Sequence, residues 1–145
     1  MPTRPLVQAA IAVIERRGRI LIARRPAAAH LGGCWEFPGG KRRVGETWAA
    51  CVRRELAEEL GIRAIALRRM ATIRFRYADR RVYLAVFRCA AADRPSSHRG
   101  QAVRWVARRA LRRYRWPAAN RELIAQLSGR AATGSRRVSA PAESG

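Results

Sequence analysis

Between Thr47 and Leu60 the chain alternates apolar and polar residues at helical spacing, with three glutamates crowded on the polar side. Ala49, Val52, Leu56 and Leu60 recur every three or four residues, which predicts an amphipathic helix closed by a left-handed cap at Gly61. Residues three and four apart share a helix face, so Glu55, Glu58 and Glu59 are expected to point the same way, beside the apolar stripe. Three bare carboxylates on one turn repel each other and push at least one pKa upward. The arrangement therefore calls for a cation between them. The simplest is a divalent metal, a hard ion that takes oxygen ligands and leaves positions for phosphate oxygens.

The rest of the chain makes that cluster stand out. Of 145 residues only ten are acidic against 31 basic, and Glu46, Glu55, Glu58 and Glu59 are four of those ten. All the basic residues except Lys41 are arginine, spread through every segment, as the codon bias of a GC-rich genome would leave them. The alternative reading of a net charge of +21 is nucleic-acid binding, and in either case the field attracts phosphate-bearing anions. The chain is long enough for one domain with its own core. No apolar run reaches the roughly 18 residues of a membrane span, and the N-terminus lacks the layout of a signal peptide. Cys34, Cys51 and Cys89 show no metal-ligand spacing and are expected as free thiols in a reducing cytoplasm.

Apolar runs at Val7–Ile14 and Ile20–Ala23 flank Gly18 and predict a β-hairpin. Pro26–Gly33 is loop-like, and Trp35-Glu36-Phe37 a short strand stopped by Pro38-Gly39-Gly40. Residues Ile62–Tyr77 and Val82–Cys89 predict two strands around an Ala78-Asp79-Arg80 turn, with Ile65, Leu67, Ile73, Phe75 and Tyr77 on one face. A polar loop over Ala90–Gly100 precedes a strand at Ala102–Val106 and a helical turn at Arg108–Arg113. A second helix starts near Pro117, a first-turn residue, and runs to Gly129. Residues 130–145 bury almost nothing and are expected to be a disordered tail. This order of elements predicts an α/β or α+β sandwich built on a mixed sheet.

The spacing from Gly40 to Ile62 resembles the Nudix box: Gly, five residues, Glu, seven residues, then Arg-Glu-aliphatic-x-Glu-Glu-x-Gly-aliphatic. Every defined position is met. The resemblance implies the Nudix α/β/α sandwich, with a mixed β-sheet between helices, over residues 1–129. It also implies hydrolysis of a nucleoside diphosphate linked to another group, using Mg²⁺ or Mn²⁺. Glu55 and Glu59 are then metal ligands, with Glu58 and the Gly40 carbonyl as further ligands. Glu55 or a neighbour activates water, and Glu46 and Arg54 brace the loop and helix.

Beyond the box, Arg24-Arg25, His30, the run Trp35 to Lys41, Tyr77-Ala78-Asp79-Arg80 and Trp116 to Asn120 resemble MutT-type enzymes, which destroy oxidised guanine nucleotides. That likeness implies a triphosphate substrate such as 8-oxo-dGTP. It implies base recognition by Asn120, with Phe37 and Tyr77 as pocket walls, Asp79 in the adjoining turn, and Arg25 and His30 on phosphate. Each has a plainer reading. Asn120 would cap a helix, Phe37 and Tyr77 would pack in the core, Arg25 would be solvated, and His30 would be a loop residue. The chain departs from the pattern twice. Arg99 stands where an acid often precedes Gly-Gln, and Arg43 replaces an acid within the loop. Open alternatives are another NTP, the triphosphate end of RNA, or a non-catalytic basic nucleic-acid-binding module. The expected state is a cytoplasmic monomer.

Overall fold

The computed structural model describes residues 4–29 and 31–129; His30 and the tail expected at residues 130–145 lie outside them. Strands β1 (Leu6–Arg16), β2 (Arg19–Arg24), β3 (Trp35–Glu36) and β4 (Gly39–Lys41) precede helix α1 (Trp48–Leu60). Strands β5 (Ala64–Arg76), β6 (Arg81–Ala91) and β7 (Val103–Ala107) lead to helix α2 (Arg121–Ser128), with short 3-10 turns at Arg108–Arg113 and Ala118–Asn120. The sheet order is β3-β2-β1-β6-β5, with β4 paired to β1 and β7 to β2. β1 runs parallel to β6 and antiparallel to β4, so the sheet is mixed.

Alternation along β1 divides the core into two layers. Ala10, Ala12 and Ile14 face Cys51, Val52, Leu56 and Leu60 of α1. Ile11 and Val13 face the other way, toward Leu123, Ile124 and Leu127 of α2. The sheet thus lies between helices as an α/β/α sandwich, and the small Ala10 and Ala12 let α1 approach closely. α1 begins where Thr47 accepts a hydrogen bond from the Ala50 N–H, and ends at Gly61 with φ of 65°. All three cysteines are buried free thiols, and burial pushes the Cys89 thiol up to about 11. Among the described residues no helix is long and apolar enough to cross a membrane.

Three expectations need correction. Gly39-Gly40 does not simply end a strand: with Lys41 it forms β4, registered opposite Ala9–Ile11. The even alternation expected along Ile62–Tyr77 is broken by register shifts between Ile65 and Arg68 and between Arg69 and Ala71. Ile65 is consequently exposed while Ile73 is buried. The last helix starts at Arg121, not at Pro117, because a 3-10 turn occupies Ala118–Asn120 first.

Candidate active site

β4 and α1 bring the glycine and the acids together. Cys51 packs beneath β4, its Sγ lying 3.5 Å from the Gly40 carbonyl oxygen. A Cβ built on Gly40 would fall inside the Glu55 carboxylate, so the missing side chain, rather than an unusual backbone, makes room for the acid. Arg54 then organises the carboxylates. It donates two hydrogen bonds to Glu46, at 2.6 and 2.9 Å, one to Glu55 at 2.9 Å, one to Glu58 at 3.1 Å and one to the Lys41 carbonyl at 3.0 Å. The two-pronged contact is thus with Glu46. Hydrogen bonds from Arg54 and from the Arg43 N–H hold the Glu46 carboxyl down at about 2.

The three helix acids do not share one environment. Glu55 and Glu59, four residues apart, are buried, while the Glu58 side chain is 42% exposed and pairs with Arg43 and Arg54. Glu58 sits at the rim because its position turns away from the sheet. Glu59 instead faces Glu36 and Glu55; burial first, and then those two charges, push its carboxyl up to about 7. The cation between Glu55 and Glu59 is Arg99, 3.3 Å from Glu59 Oε2 and 3.7 Å from Glu55 Oε1. Among the described residues no three His, Cys, Asp or Glu side chains converge as a closed cluster. Yet Glu55 Oε1 and Glu59 Oε1 are both buried and accept no hydrogen bond. Two unsatisfied carboxylate oxygens on adjacent turns fit a hard divalent ion, which commonly takes one or two protein carboxylates and completes its shell with water and phosphate.

Beside the acids opens a cavity of about 370 Å³, at the small end of ligand sites. Val7, Ala9, Ile11, Val82 and Leu84 form its apolar floor, and Glu36, Gly39 and Gly40 lie on its lining. Arg25, Phe37, Tyr77 and Asn120 also line it, four of the residues singled out from sequence. Phe37 is 2% exposed and stacks on Trp116 at 4.8 Å, so it serves the core and the cavity at once. The Tyr77 hydroxyl accepts a hydrogen bond from the Ala119 N–H, fixing the turn that carries Asn120. Asn120 is buried, and its side chain makes no capping hydrogen bond to α2. The capping role is therefore set aside. Arg25 is not simply solvated: it donates to Glu36 at 2.7 Å.

Asp79 does not reach the cavity. It lies on the β5–β6 turn as an acceptor from Arg80 at 3.1 Å, and Arg80 lines the cavity instead. Sequence reasoning also passed over Glu36, whose carboxyl is raised by burial despite the pull of Arg25. The available signal was an acid set between two large aromatics, Trp35 and Phe37, in a short strand.

The acids and the cavity meet at Gly40, which lines the cavity and lies against the Glu55 carboxylate. A family model described as NUDIX domain matches residues 9–126. The chain belongs to the Nudix family. It is 33% identical over 123 residues to the 8-oxo-dGTP diphosphatase of Escherichia coli, covering 83% of this chain and 95% of that one. Identity is 37% over 87 residues to the Proteus vulgaris 8-oxo-dGTP diphosphatase, covering 60% of this chain and 78% of the relative. A shorter match, 48% over 59 residues, is to the E. coli CTP pyrophosphohydrolase, covering 41% and 44% of the two chains. Among solved structures, a MutT protein from work on Aliivibrio salmonicida and Vibrio cholerae superposes with a TM-score of 0.74 at 29% identity. It covers 85% of this chain and 97% of its own. This Nudix chain is accordingly a MutT-type hydrolase, a pyrophosphohydrolase by class. Nudix hydrolases generally employ divalent cations, in keeping with the two buried carboxylate oxygens that accept no hydrogen bond.

Proposed function

We propose that the protein hydrolyses 8-oxo-dGTP, or a closely related oxidised guanine nucleotide, to the monophosphate and pyrophosphate with Mg²⁺ or Mn²⁺. The observation that carries this reading is Asn120, a buried amide free of any capping duty on the lining of the cavity. One amide offers a donor and an acceptor, so it can read a purine edge at two points. Glu55 and Glu59 would hold the cation, with Glu58 at the rim and the Gly40 carbonyl nearby. A bound cation supplies Lewis-acid stabilisation to the phosphoryl oxygens. The chain does the remainder. Arg54 fixes Glu55 by a direct hydrogen bond and Glu46 by two, keeping the acid aimed as charge develops. Glu55 or a neighbouring carboxylate takes the proton that water gives up as its oxygen bonds to phosphorus and the pyrophosphate leaves. Arg25 and Arg80 on the cavity lining offer positive charge to the phosphates.

The names of the two diphosphatase relatives favour an oxidised guanine, whereas the shorter match to a CTP pyrophosphohydrolase favours a pyrimidine. Pyrophosphate release measured across 8-oxo-dGTP, dGTP, CTP and triphosphate-ended RNA separates the readings. The expected order puts 8-oxo-dGTP first by kcat/KM. Asn120→Ala should shrink its advantage over dGTP by roughly tenfold or more, the worth of one good bidentate base contact. Unchanged selectivity in that variant removes Asn120 as the reader.

A further inference from the structure

Arg99 bridges the two buried acids from outside the box. It lies in the segment between β6 and β7, which is fastened to the C-terminal end of α1. The Ser96 N–H donates to the Leu60 carbonyl at 3.0 Å and the His98 N–H to the Glu59 carbonyl at 2.9 Å. His98 Nδ1 lies 3.0 Å from the Glu58 carbonyl, and its ring covers Gly61 so closely that a Cβ there would lie 2.9 Å from it. Three successive residues of α1 thereby anchor the segment, and the next side chain along it is placed over the acids. Its guanidinium pairs with both Glu55 and Glu59, yet the side chain is 53% exposed and has a route to solvent. It reaches Glu59 Oε2 and lies near Glu55 Oε1, leaving Glu59 Oε1 without a hydrogen bond.

We propose that Arg99 is a tethered counter-ion of the Glu55–Glu59 pair, competing with the divalent cation and so setting the affinity for it. The inference rests on the reading of these two acids as the cation's ligands. Arg99 stands over Glu55 Oε1, one of the two oxygens left for the cation, and holds Glu59 Oε2, so a dication at Glu55 Oε1 and Glu59 Oε1 would meet a like charge at close range. Cation binding must therefore displace Arg99. The backbone anchors keep it within reach, so it returns when the cation leaves. As a positioning residue it acts on the reaction through the occupancy of the site.

The test is a titration of Mn²⁺ alone, followed by the paramagnetic resonance of the free ion, into wild type, Arg99→Gln, Arg99→Lys and the remote Arg121→Gln. Arg99→Gln is expected to bind Mn²⁺ roughly threefold to tenfold more tightly, the scale of a half-exposed ion pair removed together with its repulsion. Arg99→Lys, which keeps the charge, and Arg121→Gln, which lowers overall charge without touching the site, should stay near wild type. Equal affinity in wild type and Arg99→Gln overturns the proposal while leaving the metal site intact. An equal gain in Arg121→Gln overturns it in favour of a general field effect. If no protein binds Mn²⁺, the proposal falls together with the site on which it rests. Far-ultraviolet circular dichroism on each variant reports whether the fold is kept, and Arg99→Lys supplies the contrast even if Arg99→Gln is destabilised.

Discussion

Burial beside Glu36 and Glu55 holds the Glu59 carboxyl at about 7, against 4.5 for a free glutamate, so the folded protein grips that proton more tightly than the unfolded chain. The resulting stabilisation is full below 4.5 and is lost as pH rises through about 7. In metal-free protein, Glu59→Gln should therefore gain stability over wild type toward alkaline pH, by on the order of 1–3 kcal/mol, with little gain in acid. Thermal unfolding in chelator at the two ends of that range checks this; a pH-independent difference contradicts it. Glu46 runs the other way. With its carboxyl held at about 2, its pairing with Arg54 contributes above 4.5 and disappears only as pH falls through about 2. Arg54→Lys keeps a charge but loses the fork, and is expected to lower kcat more than it raises KM, because the loss falls on the aim of Glu55.

At the level of elements, the working unit is β4 docked on α1 with the 92–102 segment laid across the helix end. Gly61 closes α1 at φ of 65° under the His98 ring, so Gly61→Ala meets both a left-handed backbone and a crowded neighbour. The variant should lose about 1–2 kcal/mol from the backbone alone, measured by urea unfolding, and should loosen the anchorage of Arg99. A neutral effect would mean that the segment shifts freely. The box helix was legible beforehand because periodicity, cap and acid spacing all agree over one continuous stretch. The turn into α2 was not, since Pro117 suits the start of either a 3-10 turn or an α-helix and only tertiary packing chooses. β4 escaped because glycine carries no strand signal; its pairing to β1 is imposed by the sheet. Asp79 lies in the turn expected of it, but a turn sequence does not say which of Asp79 and Arg80 faces the cavity, and it is Arg80 that lines it. Glu58 and Arg99 illustrate the same limit. Helical spacing put three acids on a face, but only the packed structure reveals that two are buried and that an arginine bridges them.

Over the whole molecule, the two apolar layers make the site a product of the sandwich. α2 is held by Leu123, fully buried, and α2 and the turn before it carry Asn120 to the cavity. Leu123→Ala should cost about 2–5 kcal/mol in unfolding free energy and weaken nucleotide binding as well, since the turn loses its footing. The net charge of +21 acts at longer range. If it steers the triphosphate, kcat/KM should fall steeply between about 0.1 and 1 M salt, as the screening length shrinks from roughly 10 to 3 Å, with kcat much less affected. A flat profile would leave the arginines a matter of composition.

The central claim is that Glu55 and Glu59, each with a buried oxygen that accepts no hydrogen bond, hold a divalent cation that acts on a nucleoside triphosphate. Its most direct measurement is pyrophosphate release from 8-oxo-dGTP by wild type and Glu55→Gln, with Mg²⁺ titrated from a chelated start. The account predicts turnover that is absent in chelator, saturates with Mg²⁺, and drops at least about 100-fold in Glu55→Gln, the scale of losing one electrostatic stabiliser of a transition state. Turnover that persists in chelator, or a Glu55→Gln enzyme as fast as wild type, would contradict it.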